Sequence, residues 1–120
     1  MLYNLDDNPP NRDAHEADFQ AWRSRISDAD YQAMVDAINA YCDQHQEGFR
    51  SSWMPGQDSA IDAAFPPLTA ACGGSREGSG MFFGNIVWRV IIDRDDNWYF
   101  KAVDREGGDP PGMTYWRKRS

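Results

Sequence analysis

Between Ile26 and Phe49 the chain has no lysine and no arginine, although it carries five carboxylates there. Cysteine is nearly absent as well, with Cys42 and Cys72 the sole pair. Two thiols are too few for a disulfide scaffold, and both sit among small or apolar neighbours, as buried reduced cysteines do. No apolar run approaches the ~20 residues that span a bilayer, so no membrane-crossing segment is expected. The first seven residues, Met1-Leu2-Tyr3-Asn4-Leu5-Asp6-Asp7, lack the basic and apolar regions of a signal peptide, and a cytoplasmic protein is the expectation. Catalytic and cofactor motifs are missing too. The glycine run from Gly73 to Gly80 has neither the GxxxxGK[ST] nor the GxGxxG spacing, and there is no HExxH and no paired CxxC.

At 120 residues the chain is long enough for one core and is expected to be one domain. Its net charge of −7 is unevenly spread. Residues 1–62 hold twelve acids against four arginines, whereas residues 63–120 hold seven acids against eight bases. An acidic half weighs against direct nucleic-acid binding and against anionic membranes, and points to a polar partner surface.

Residues 1–12 contain Asn8-Pro9-Pro10-Asn11 and are expected to be irregular. A helical pair is expected over 13–48. Asp13 and Glu16 stand in a capping-box arrangement, and Phe19, Trp22 and Ile26 make the first buried stripe. Ser27 caps the second helix, and Ile26 and Tyr31 are spaced as a hydrophobic staple across its start. Tyr31, Met34, Val35, Ile38, Tyr41, Cys42 and His45 form one side of that helix, and Gly48 ends it. Residues 49–80 read as an irregular connection, with a short helical turn opened by Pro66-Pro67 and a flexible loop over 73–80. A β-meander is expected over 81–120. Its strands are Ile86–Asp93, Trp98–Val103 and Met113–Lys118, with Arg94–Asn97 and Asp104–Gly112 as turns. A helix over 81–93 is the rival reading, since Phe83, Ile86, Val87, Val90 and Ile91 also make a helical stripe. The expected fold is therefore α+β, with two N-terminal helices packed against a C-terminal three-stranded antiparallel meander. Phe19, Trp22, Met34, Val35, Ile38, Trp88, Val90, Trp98 and Phe100 are its expected core.

The second helix carries the leading functional candidate. Gln32, Asp36, Asn39, Asp43 and Glu47 line its outward side. Asp43 and Glu47 are like-charged at the negative end of the helix dipole, an arrangement costing ~0.3–1 kcal/mol per charge. Local rules broken without visible compensation tend to mark function. The competing structural explanation is that Arg23, Arg25 or Arg50 folds back over these acids. A functional acidic face would dock on a basic surface of a protein partner, for example a nucleic-acid-binding protein, by presenting carboxylates in place of phosphates. Small, Asp-rich, motif-free chains of this kind suit inhibitors or anti-defence proteins of phages and plasmids.

A second candidate is an aromatic and basic sheet face carrying Arg89, Tyr99, Lys101, Trp116 and Lys118, the ingredients of a ligand or single-strand nucleic-acid platform. It competes with a sheet covered by residues 50–72, which include Trp53, Ile61, Phe65 and Leu68. Cys42 and His45 have a permitted metal-ligand spacing, with His15 and Cys72 available to complete a set. Their place on an apolar helix stripe explains them without a metal, and no cofactor is expected. A small enzyme using Cys72 or His45 is the third option, and no motif supports it.

Overall fold

The computed structural model describes residues 1–10, 16–50, 70–73, 76–102 and 113–118. In chain order the elements are β1 (Leu2–Tyr3), α1 (Glu16–Arg23), α2 (Asp28–Gln44), β2 (Phe49–Arg50), α3 (Arg76–Asp93), β3 (Trp98–Ala102) and β4 (Met113–Arg117). The class is α+β. Among the described residues the sheet, however, is four-stranded and mixed rather than a three-stranded meander, in the order β1-β3-β4-β2. β1 runs parallel to β3, while β3–β4 and β4–β2 are antiparallel. Two strands come from segments expected to be irregular: β1 lies within residues 1–12, and β2 opens the 49–80 connection.

The main correction concerns residues 81–93, which are helix and not strand. α3 also takes in Arg76–Gly80, part of the expected flexible loop. Phe82, Phe83, Ile86, Val87, Val90 and Ile91 are all buried along it. Val87 and Ile91 therefore do not face outward as a strand reading requires. An α-helix clad in apolar side chains on most of its circumference is a central core element, and its sequence loses the amphipathic signature that marks a surface helix.

The start of α2 follows from its sequence. Ser27 sits in extended conformation and its hydroxyl accepts the Asp30 amide at 3.1 Å. Such an N-cap typically contributes ~1 kcal/mol. The helix ends earlier than expected, at Gln44, with His45 as its C-cap and Gly48 (φ +134°) turning the chain into β2. Gly48 packs close to the Trp116 side chain and the Tyr115 carbonyl, so a side chain there meets both a strained backbone and a tight approach.

Paired positions on neighbouring strands point to the same side of a sheet. Leu2 pairs with Trp98, Phe100 with Tyr115, and Phe49 with Tyr115, so these residues share one face. The helices lie on that face. Trp88 of α3 meets Phe100 edge-on at 4.8 Å, and Tyr41 of α2 meets Phe49 at 5.0 Å. Phe49 in turn touches Trp98 and Tyr115. α1 closes the far side of α3 through Phe19 and Trp22, both against Phe82. Of the expected core, Phe19, Met34, Ile38, Val90 and Trp98 are buried, and Trp22, Val35, Trp88 and Phe100 are partly buried against them. The Asp13 cap, the Pro66-Pro67 turn, the Asp104–Gly112 turn and the covering residues Trp53, Ile61, Phe65 and Leu68 lie outside the described residues.

Candidate functional site

The outward side of α2 and the end of α3 meet in a groove of about 490 Å³. Val35, Asn39 and Asp43 line it from α2, Val90 and Asp93 from α3, and Arg94, Asp95 and Asp96 from the turn leading into β3. Four carboxylates and one guanidinium thus line it, two of the carboxylates in contact with the guanidinium, and the Met1 ammonium donates to the Arg94 and Asp96 carbonyls beside it.

Arg94 organises the groove. Its Nη2 donates to Asp43 Oδ1 at 2.6 Å and to Asp96 Oδ2 at 2.9 Å, and its Nε donates to Asp96 Oδ1 at 2.8 Å. Its Nη1 donates to the Asn39 side-chain and backbone oxygens at 2.9 and 3.3 Å. Asp96 also accepts the Trp98 indole N–H at 2.9 Å, which ties the groove to the core. These contacts stabilise the charged forms. Hydrogen bonds to Asp96, above all, raise the Arg94 pKa, and the Arg94 hydrogen bond holds Asp96 below the usual carboxylate range.

The dipole conflict at the end of α2 is therefore resolved by tertiary structure. The last turn of α2 contains no base of its own, and Arg94, in the turn that follows α3, supplies one to Asp43. Of the three arginines expected to do this, Arg23 and Arg25 take no part. Arg23 pairs with Asp28 at 2.6 Å and donates to the Ile26 carbonyl, while Arg25 donates to the Ala71 carbonyl. The Arg50 side chain lies outside the described residues.

The other members of the acidic face divide. Gln32 donates to Asp36 at 2.9 Å, and both are exposed. Glu47 is exposed but lies beyond the last helical residue, Gln44, so it is not one turn above Asp43 on a continuous helix. Asp93, Asp95 and Asp96 belong to the same surface, and the sequence reading missed them because it assigned 93–97 to a strand end and a hairpin turn.

The second candidate set is only partly assembled. Arg89 is not on the sheet: it lies in α3, is 3% exposed, bonds Glu16 at 3.1 Å and stacks its guanidinium 3.9 Å over the Phe19 ring. Tyr99, Lys101, Trp116 and Lys118 do share the sheet's other face. Tyr99 pairs with Trp116 across β3–β4, and their rings lie 5.7 Å apart.

Cys42 is fully buried, and burial pushes its thiol up to about 12. The His45 ring stacks on Tyr41 at 4.0 Å with Nδ1 2.9 Å from the Tyr41 carbonyl, a contact that requires Nδ1–H as donor. Cys72 is also buried, and His15 lies outside the described residues. Among the described residues no group of three or more His, Cys, Asp or Glu side chains is arranged to hold a metal ion, and no helix is long and apolar enough to cross a membrane. The chain matches no protein-family model, and no curated protein or solved structure is significantly similar to it.

Proposed function

We propose that this protein is a non-enzymatic interaction protein, an inhibitor or accessory factor, that docks its acidic helical surface on a basic surface of a protein partner. The observation that carries the reading is the excess of carboxylates in the groove. Arg94 is shared by Asp43 and Asp96, and the exposed Asp95 adds a further acid at its rim. Asp36 extends the same charge along α2. Complementary charge of this kind steers encounter and selects partners more than it sets affinity. A nucleic-acid-binding protein is a suitable partner, since its basic surface is built to receive an array of negative charge.

Arg94 refines this reading. Asp43 is held in place by a fixed cation, so it serves as a preorganised acceptor at the base of the groove, and the exposed Asp36 and Asp95 supply the binding charge. Replacing Asp36 and Asp95 together by Lys is expected to leave the circular dichroism spectrum intact and to abolish capture of a basic partner by the immobilised protein. Equal capture by the wild type and this variant contradicts the proposal.

A further inference from the structure

The face of the sheet turned away from the helices carries Tyr3, Tyr99 and Trp116, with Lys101 exposed beside them and Lys118 just past the end of β4. Tyr3 pairs with Tyr99, and Tyr99 with Trp116, so three aromatic rings run in a row across three adjacent strands. The Lys118 ammonium lies 5.1 Å from the centre of the Tyr3 ring and 5.5 Å from that of Tyr99. A row of rings flanked by ammonium groups provides stacking surfaces for bases and counter-charges for phosphates at once.

Asp7 shows where an anion sits on this face. Its Oδ1 accepts both the Tyr99 hydroxyl at 2.8 Å and the Lys118 ammonium at 2.9 Å. Two donors thus converge on one anionic oxygen, an arrangement that a phosphate oxygen satisfies equally well. Asp7 comes from the Asn4–Asn8 turn, with a left-handed backbone (φ +61°) that a non-glycine residue rarely adopts. The side chain of Asn4 closes that turn by accepting the Asp6 and Asn8 amides. Asp7 is itself exposed, so an incoming anion has access to it.

We propose that this face binds single-stranded nucleic acid, with bases stacked on Tyr99 and Trp116, backbone phosphates met by Lys101 and Lys118, and Asp7 occupying the phosphate position in the free protein. The charge distribution permits it. Among the described residues Lys101 and Lys118 flank the rings and Asp7 is the carboxylate bonded to Tyr99 and Lys118, while Asp43 and Glu47 share a neighbouring cavity with Lys118. The inference is independent of the acidic groove, which Tyr99, Lys101, Trp116 and Lys118 do not line.

The test is fluorescence anisotropy of labelled dT12 and U12 oligonucleotides at low salt. Saturable binding is expected, with a 12-base-pair duplex failing to compete. Trp116→Ala and Tyr99→Ala are expected to weaken binding about 10-fold or more each, as loss of a stacked base does. Lys101→Ala, at an exposed site that leaves the core untouched, is expected to lower the slope of log K against log salt by about 0.7. Asp7→Asn is expected to tighten binding by removing the internal competitor. Absence of saturable binding, equal competition by the duplex, or affinity unchanged in both Lys101→Ala and Trp116→Ala overturns the proposal.

Discussion

Arg94 Nη2 lies 2.6 Å from Asp43 Oδ1, joining the turn after α3 to the last turn of α2. The contact spans 51 residues of chain and supplies the cation that α2 lacks. Arg94 is 13% exposed, against 63% for Asp43, so the two partners are not equivalent. Arg94→Ala removes the bonds to Asp43, Asp96 and Asn39 together and is expected to cost about 2–4 kcal/mol. Asp43→Ala removes one solvent-screened pair and is expected to cost about 1 kcal/mol or less. Arg94→Lys falls between, because one ammonium cannot reproduce the guanidinium fork. Urea denaturation measures all three, and equal losses for Arg94→Ala and Asp43→Ala contradict the assigned geometry.

Asp96 makes the same cluster visible in pH dependence. Its pKa is lowered in the folded protein, first by the Arg94 hydrogen bond and also by the Trp98 indole. A folded pKa below the unfolded value of ~3.9 means that the contribution is fully present above that value. It is lost as pH falls from there through the folded pKa. The stability difference between wild type and Asp96→Asn is therefore expected to narrow steadily below about pH 4. A difference independent of pH from 7 to 2 contradicts the linkage.

Cys42 is expected to be inert in the folded state. The thiolate is the reactive form, and a thiol raised to about 12 by complete burial supplies almost none of it at pH 8. Labelling by iodoacetamide, read by peptide mass spectrometry, is expected at Cys42 only at the rate of unfolding. Fast modification of the native protein at this residue contradicts its assignment as core packing and reopens a thiol-based activity.

Ser27 tests the start of α2. Ser27→Ala removes the acceptor for the Asp30 amide and is expected to cost about 1 kcal/mol, with Ser27→Asp nearly neutral. The midpoint of thermal unfolding distinguishes the two.

How much of this was legible in the sequence follows from the range of the forces involved. The Ser27 cap, the α2 stripe and the β3–β4 pair depend on neighbours within a few residues or on a simple period, and the sequence carries them openly. α3 does not, because Phe82, Phe83, Ile86, Val87, Val90 and Ile91 face partners on several sides, so burial erases the contrast that would reveal a period. Its β-branched residues then favour a strand in any local reading, and the 18-residue length of the helix is the feature that decides. β1 was illegible for the opposite reason: two residues are too few to show alternation. At the groove, the arginines nearest α2 in the sequence are Arg23, Arg25 and Arg50. Among the described residues the cation that acts is Arg94, and the packing of α3 on α2 brings it there.

The central claim, that the acidic groove and the adjoining side of α2 dock on a basic protein surface, is tested most directly by calorimetric titration of the purified, captured partner. Wild type, the Asp36→Lys/Asp95→Lys variant and an Asp6→Lys control outside the groove are compared at two salt concentrations. At least a 10-fold loss of affinity is expected for the double variant, with little change for the control and weaker wild-type binding at high salt. Equal affinities for wild type and the double variant would contradict the claim.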